Sequence, residues 1–124
     1  MDRFKFRVYI KYAKMMCYDV NSFYIDRLKN KITIHFNDHT KTFKFDDVVL
    51  EQSTGLKDKN DKLIYENDVV EYYNEKIHQN FREEVLPFRE LRTKGIMRHL
   101  IDERNADKLE VIGNIHENEN LLEI

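Results

Sequence analysis

Apolar and polar residues alternate with a period of two at the start of the chain. The apolar set is Phe4, Phe6, Val8 and Ile10, and the set between them is Lys5, Arg7, Tyr9 and Lys11. In a β-strand such alternation places the two sets on opposite faces. The pattern predicts a first strand that buries an apolar face and exposes a basic one.

More strands are predicted as far as residue 51. Residues 15–20 are expected to pair with the first strand. Residues 32–36 and 40–45 flank the short polar segment 37–39, an arrangement typical of a β-hairpin. Residues 47–51 are a further strand candidate. The first part of the chain therefore predicts a meandering antiparallel sheet.

Two polar clusters in the middle of the chain predict tight turns. Residues 58–61 read Asp-Lys-Asn-Asp and residues 66–68 read Glu-Asn-Asp. Asn and Asp side chains bond to their own backbone and tolerate left-handed φ angles. The β-branched and aromatic residues 69–73 then predict a strand. Two such turns so close together imply a sharply curved sheet, so we expect a curved sheet or a small, partly open SH3-like barrel.

Between residues 74 and 92 apolar residues recur at spacings of three and four, the period of an α-helix. The pattern predicts an α-helical insertion at about 74–92, with Asn74 as N-cap and a kink or break at Pro87. Its apolar stripe either packs on the sheet of its own chain or forms an oligomer interface with another protomer. The stripe consists of Ile77, Phe81, Val85, Phe88 and Leu91.

The remaining segments complete the predicted fold. Residues 95–101 fit a strand and a helix equally well, and residues 109–115 predict a closing strand interrupted by Gly113. The expected fold class is α+β, mostly antiparallel β, with the helical insertion. At 124 residues the chain is expected to form a single domain over residues 1–124.

Three sequence blocks occur in a characteristic order. They are Phe4-Lys5-Phe6-Arg7-Val8-Tyr9 with Lys14-Met15-Met16; Thr54-Gly55-Leu56-Lys57-Asp58-Lys59-Asn60 with Ile64-Tyr65-Glu66-Asn67-Asp68-Val69-Val70; and Leu109-Glu110-Val111-Ile112-Gly113-Asn114-Ile115-His116-Glu117-Asn118 with Leu121-Leu122. This series resembles the YopX family, small proteins found mostly in phages and prophages. The resemblance implies a phage or prophage origin, but it implies no particular reaction.

Three positions depart from the pattern of that family, one of which is Asn120, close to where a proline is often seen. Asp61 and Asn67 stand where family members commonly carry glycine. Glycine at such places supplies a positive φ angle, and Asn and Asp are the next most tolerant residues. We therefore expect positive φ at both positions.

Composition narrows the class of protein. The chain has no apolar run long enough to span a membrane, and residues 1–5 lack the apolar core of a secretory signal. The single cysteine, Cys17, excludes an internal disulfide and is expected to be a small buried residue. These features predict a soluble protein in the cytoplasm of the host cell, with no membrane partner.

Charge is distributed unevenly along the chain. Residues 1–45 contain ten Lys and Arg against four Asp and Glu, whereas residues 102–124 contain two against seven. The basic part could bind nucleic acid or attract the acidic part of another protomer, although both are also typical of ordinary solvated faces. The candidate nucleic-acid face consists of Lys5, Arg7, Tyr9, Lys11 and Lys14.

Motifs for catalysis and cofactor binding are lacking in the sequence. The three glycines are too far apart for a phosphate-binding loop, and neither serine lies in a nucleophile-elbow setting. His35 and His39 would meet at one hairpin tip with Asp38, but a structural zinc site needs four ligands. We therefore expect no cofactor, no metal and no enzymatic activity.

The central block supplies the remaining candidate residues. Its carboxylates can serve as turn formers or can belong to a functional surface, and the structural role is the favoured interpretation. The candidate surface residues are Lys57, Asp58, Lys59, Tyr65 and Asp68.

The function expected from the sequence is that of a non-enzymatic module that binds a macromolecule. A protein partner from host or phage is favoured, and a homo-oligomer is also expected. The alternative is a nucleic-acid-binding module that uses the basic N-terminal hairpin. An accessory phage enzyme is the third alternative.

Overall fold

Antiparallel strands account for nearly all the regular structure of this chain. The computed structural model describes residues 5–87, 90–92 and 98–122. These residues contain eleven strands and a few short 3₁₀ turns, and no α-helix is found among them. The described residues divide into two compact units, one up to residue 52 and the other from residue 53 onwards. The prediction of a single domain stays a prediction, because compactness does not measure cooperative folding.

The first unit is a single antiparallel sheet with strand order β4-β3-β2-β1-β5. Its strands are β1 (Phe6–Ile10), β2 (Met15–Asp26), β3 (Lys31–Phe36), β4 (Thr40–Lys44) and β5 (Val48–Lys57), of which β5 continues into the second unit. The predicted hairpin is confirmed, with Ile32 opposite Phe43 and His35 opposite Thr40. The period-two patterns of β1 and β3 place their apolar residues in one core. That core consists of Val8, Ile10, Ile32, Ile34, Phe36, Phe43 and Val48.

The second unit contains the end of β5, which pairs with β6, and a five-stranded sheet of order β10-β9-β8-β7-β11. The strands are β6 (Leu63–Tyr65), β7 (Asp68–Asn74), β8 (Gln79–Leu86), β9 (Glu90–Arg92), β10 (Arg98–Leu100) and β11 (Glu110–Asn114). Burial of apolar side chains stabilises this unit through a core of its own. That core consists of Leu56, Ile64, Val70, Val85, Ile101, Ala106 and Leu109.

The predicted helical insertion at 74–92 is wrong, because β7 and β8 form a hairpin there. Tyr72 lies opposite Phe81 in the register, and residues 75–78 form the turn. A spacing of four residues fits a strand as well as a helix, since four is a multiple of two. The inward positions of β8 are Phe81, Glu83 and Val85, and Glu83 is fully buried. A charged residue at an inward position hides the period-two pattern of this strand.

The apolar stripe predicted on the helix therefore does not exist as one face. Ile77 lies in the exposed turn, Phe81 is partly buried on β8, and Val85 is fully buried in the core. Leu91 is a residue of β9, and Phe88 lies outside the described residues. The oligomer interface predicted from this stripe loses its structural basis.

The expected α+β class with an SH3-like barrel is also wrong. In the described part of the chain the fold is nearly all antiparallel β, and the sheets are open rather than closed into a barrel. Residues 98–100 of the ambiguous segment 95–101 form β10, and residues 95–97 lie outside the described part. The two tight turns do not require the sheet to close into a barrel. Each turn only ends one strand and begins the next.

Two predictions about local backbone conformation are confirmed. Asp61 and Asn67 have φ angles of 63° and 70°, which confirms the predicted left-handed conformation. The closing strand is interrupted as predicted, with a register shift between Val111 and Gly113. A Cβ atom at Gly113 would lie 2.6 Å from Cδ1 of Leu121, so a larger residue there would require the side chains of the following segment, which includes a 3₁₀ turn (Glu119–Leu122), to shift.

Truncation of the former helical stripe distinguishes strand from helix. Val85→Ala should lower the free energy of unfolding by about 2 kcal/mol, because it leaves a cavity in the core. Ile77→Ala should change it by less than about 0.5 kcal/mol, because the Ile77 side chain is exposed. Urea unfolding of both variants measures the difference. Equal losses at the two positions would contradict the β7–β8 hairpin.

Candidate functional site

The loop after β5 is held by the carboxylate of Asp58, which is buried. Its Oδ1 accepts hydrogen bonds from the backbone N–H groups of Asn60 and Lys62, each at 2.9 Å. Its Oδ2 accepts one from the N–H of Val111 on β11, at 2.8 Å. The N–H of Lys59 also donates to the carbonyl of Leu109 at 2.9 Å. One side chain thus ties the loop to a strand that is distant in sequence.

The other signature carboxylate, Asp68, is structural as well. Its Oδ2 accepts the backbone N–H of Tyr65 at 2.8 Å and closes the bend before β7, as the sequence predicts. Asp58, Tyr65 and Asp68 are all buried, so their assignment to an exposed signature surface is wrong. Lys57 and Lys59 do have exposed side chains, and Lys57 Nζ lies 3.7 Å from Asp61 Oδ1.

A cleft of about 710 Å³ opens beside this loop. Three segments of the second unit line it: the loop after β5, the β7–β8 hairpin, and the segment that leads into β11. The lining residues are Lys59, Glu71, Tyr72, Tyr73, Asn74, Glu75, Lys76, Asn80, Lys108 and Glu110. The cleft is therefore lined by charged residues and asparagines, with two adjacent tyrosines as its aromatic component.

Both tyrosines are held by neighbouring side chains. The ring of Tyr72 stacks on Phe81 with 5.7 Å between centroids, and its hydroxyl is hydrogen-bonded to the buried carboxylate of Glu83. Burial and this bond to Glu83 raise the pKa of Tyr72 well above its usual range, so the hydroxyl stays protonated. Tyr73 is 53% exposed, and its hydroxyl lies 3.0 Å from Nδ1 of His78.

The charges of the cleft are balanced in number, with three lysines and three glutamates. Glu71 lies directly opposite Glu110 in the β7–β11 register, an arrangement that repulsion disfavours. Two cations offset it: Arg82 Nε lies 2.8 Å from Glu71 Oε2, and Lys59 Nζ lies 3.4 Å from Glu110 Oε1. The close opposition of two glutamates is thus tolerated because each carboxylate has a cation of its own.

Sequence reasoning found only Lys59 among these lining residues. The sequence predicts Tyr72 and Tyr73 only as residues of the strand 69–73, and Lys108 precedes the predicted closing strand at 109–115. Nothing in the local sequence indicates that the three segments meet. The usable signal was Asp58, because a turn-forming carboxylate has more acceptor sites than its own turn requires.

The predicted nucleic-acid face on β1 is not a continuous basic surface. Arg7 and Tyr9 are buried, with exposed fractions of 1% and 8%. Arg7 Nε donates to Glu51 Oε1 at 2.7 Å, directly across the β1–β5 register. Lys5, Lys11 and Lys14 are exposed as expected. The predicted exposure of Arg7 and Tyr9 is wrong. For Arg7 the reason is that a carboxylate on the neighbouring strand lets the guanidinium be buried.

The remaining candidate groups have local partners. His39 Nδ1 lies 2.6 Å from Asp38 Oδ1, and His35 Nδ1 lies 2.9 Å from Thr40 Oγ1. Burial, and secondarily the charge of Asp19, raise the pKa of the Cys17 thiol, which disfavours the reactive thiolate. Within residues 5–87, 90–92 and 98–122 there is no group of three or more His, Cys, Asp or Glu arranged to hold a metal ion.

Comparison with known proteins places the chain in a family. The family model described as YopX protein matches residues 5–123. The chain belongs to the YopX family. This confirms the resemblance seen in the three sequence blocks. A search of curated proteins finds no match.

Two solved structures share the fold of this YopX-family chain. Protein yopX from Bacillus subtilis superimposes with a TM-score of 0.68 at 18% identity, covering 98% of this chain and 99% of that one. Protein EF1440 from Enterococcus faecalis gives a TM-score of 0.60 at 28% identity, covering 96% of this chain and 97% of that one. The open antiparallel fold is therefore shared over nearly the full length. Among the described residues, no helix has the length and apolar character needed to cross a membrane.

Substitution of Asp58 tests its role as a tie between the loop and β11. Asp58→Asn should lower the free energy of unfolding by about 1–3 kcal/mol, because an amide has one oxygen where three N–H groups need two. The control is Asp61→Asn, which is exposed and keeps a residue that tolerates positive φ. Urea unfolding is the measurement. Equal stability of the two variants would contradict the assignment.

Separate and combined substitutions of Arg7 and Glu51 test the buried ion pair. Arg7→Met alone should cost about 3 kcal/mol or more, because it leaves the Glu51 carboxylate buried without its cation. The double variant Arg7→Met, Glu51→Leu should cost clearly less than the sum of the two single losses. Thermal and urea unfolding of all four proteins complete the cycle. Additive losses would show that the two charges are not coupled.

Proposed function

We propose that this YopX-family chain is a non-enzymatic protein-binding module whose cleft takes an extended segment of another polypeptide. The observation that carries the proposal is the cleft beside β7, with its two held tyrosines and its balanced charges. The non-enzymatic part rests on the sequence, which offers no catalytic motif.

The size and polarity of the cleft support a peptide ligand. A volume of about 710 Å³ lies within the range of ligand-binding pockets. Asn74 and Asn80 line it, and an amide side chain both donates and accepts hydrogen bonds. A polypeptide backbone also offers one donor and one acceptor at each residue. The lining can therefore match the main chain of an extended segment without relying on its side chains.

The tyrosines support the same interpretation. Tyrosine is enriched at protein interfaces, because it offers a large contact area at a low cost in conformational entropy. The hydroxyl of Tyr73 is already engaged with His78, and the ring of Tyr72 is stacked on Phe81. Side chains ordered before binding lose less entropy when a partner arrives.

The charge balance disfavours nucleic acid as the ligand of this cleft. A nucleic-acid groove follows the phosphate backbone and needs a clear excess of cations. Three glutamates line this cleft together with its three lysines. The burial of Arg7 and Tyr9 likewise removes two of the five residues of the alternative basic face.

Other expectations about the biological setting rest on the family resemblance and on sequence composition. They are the phage or prophage origin, the location in the host cytoplasm and a host or phage protein as partner. The homo-oligomer expectation is not carried into the proposal, because its apolar stripe is divided between an exposed turn and a buried core.

Peptide selection tests the proposal. A random library of short displayed peptides is selected on the immobilised full chain, and enriched peptides are then measured by calorimetry. Tyr73→Ala should weaken binding by about tenfold or more, because it removes a contact surface of the cleft. Tyr24→Ala is the control, since Tyr24 is also exposed, at 64%, but lies on β2 in the first unit.

The control should bind like the unaltered chain. A library that yields no enriched peptide would overturn the proposed function. Enriched peptides that bind Tyr73→Ala and the unaltered chain equally would do the same, because they would bind elsewhere.

A further inference from the structure

We infer that the polypeptide segment taken by the cleft is acidic and that its carboxylates contact Lys76 and Lys108. This inference rests on the proposed function and adds the chemical class of the partner.

Two of the three cleft glutamates already have cations. Glu71 is paired with Arg82 at 2.8 Å, and Glu110 is paired with Lys59 at 3.4 Å. Glu110 Oε2 also accepts a hydrogen bond of 3.4 Å from Nδ2 of Asn60. Lys59, Glu71 and Glu110 are therefore already engaged in ion pairs. Neither of the two glutamates remains a strong site for a cationic ligand.

Among the cleft residues that are not in these ion pairs, lysines outnumber glutamates. Lys76 and Lys108 line the cleft, are exposed, and form no ion pair within the part of the chain that the structure describes. Glu75 is the only cleft glutamate in a comparable position. The lining as a whole is balanced in number, but its groups outside ion pairs are two ammonium groups and one carboxylate, an excess of one positive charge. That excess favours an acidic segment and opposes a basic one.

The position of the two lysines adds a geometric argument. Lys76 lies in the β7–β8 turn and Lys108 lies just before β11, so they come from two different walls of the cleft. A segment that runs through the cleft meets a cation on each of these two walls and also the tyrosines of β7. Electrostatic attraction of this kind raises the association rate and fixes the register of the bound segment. It also makes the affinity fall as salt is added.

Charge reversal on the full chain tests the inference. The variant is Lys76→Glu, Lys108→Glu, and the control is Lys31→Glu, Lys44→Glu. Lys31 and Lys44 are exposed and face each other across β3 and β4, so their double reversal changes the net charge equally and keeps two like charges opposed. Circular dichroism first verifies that both variants are folded. The same displayed library is then selected on all three proteins.

The unaltered chain and the control should enrich Asp and Glu, and the cleft variant should lose this enrichment. A synthetic acidic peptide from the first selection should bind the cleft variant at least about tenfold more weakly, and the control within about twofold. Enriched peptides without an acidic excess, or full affinity for the cleft variant, would overturn the acidic assignment while leaving the peptide-binding function intact.

Two results would remove both proposals. One is the absence of any enriched peptide. The other is binding of a single-stranded DNA oligonucleotide that the Lys76→Glu, Lys108→Glu variant abolishes, without peptide binding, which would assign the two lysines to phosphate contacts. A peptide that binds in a Tyr73-dependent manner but ignores the charge reversal removes only the acidic assignment.

Discussion

The candidate site depends on the hydrogen bonds that the carboxylate of Asp58 accepts. This carboxylate accepts three backbone N–H groups, two in its own loop and one on β11. Buried N–H groups are costly when unpaired, so this single side chain fixes the loop and the strand together. Lys59 follows Asp58 directly, and Glu110 precedes Val111. The tie therefore brings together two walls of the cleft, and the ion pair between Lys59 and Glu110 forms beside it.

The third wall depends on a second buried polar contact. Glu83 is fully buried on β8 and is bonded to the hydroxyl of Tyr72 on β7. A buried carboxylate is acceptable only when hydrogen bonds satisfy it, so the pair constrains the relative position of the two strands. The same contact orients Tyr72 at the cleft. Packing of the core and shape of the candidate site are thus set by the same residues.

The candidate site could be anticipated only in part. The turn-forming roles of Asp58 and Asp68 and the positive φ angles of Asp61 and Asn67 followed from residue type, because each depends on atoms within a few positions along the chain. The cleft could not be anticipated, since its walls are far apart in sequence. Lys76 and Lys108 appear in the sequence as ordinary solvated lysines, and only the fold brings them to one opening.

The sequence by itself determined the family, the antiparallel first unit with its apolar core, and the turns of the central signature. Tertiary structure alone decided that residues 79–86 form a strand and that Arg7 is buried. The physical reason is the same in both cases. A charged residue can occupy an inward strand position only when a partner on another strand compensates it, as Glu51 does for Arg7 from 44 residues away. The pattern of apolar and polar residues does not reveal such partners, because it predicts that every charged residue faces the solvent.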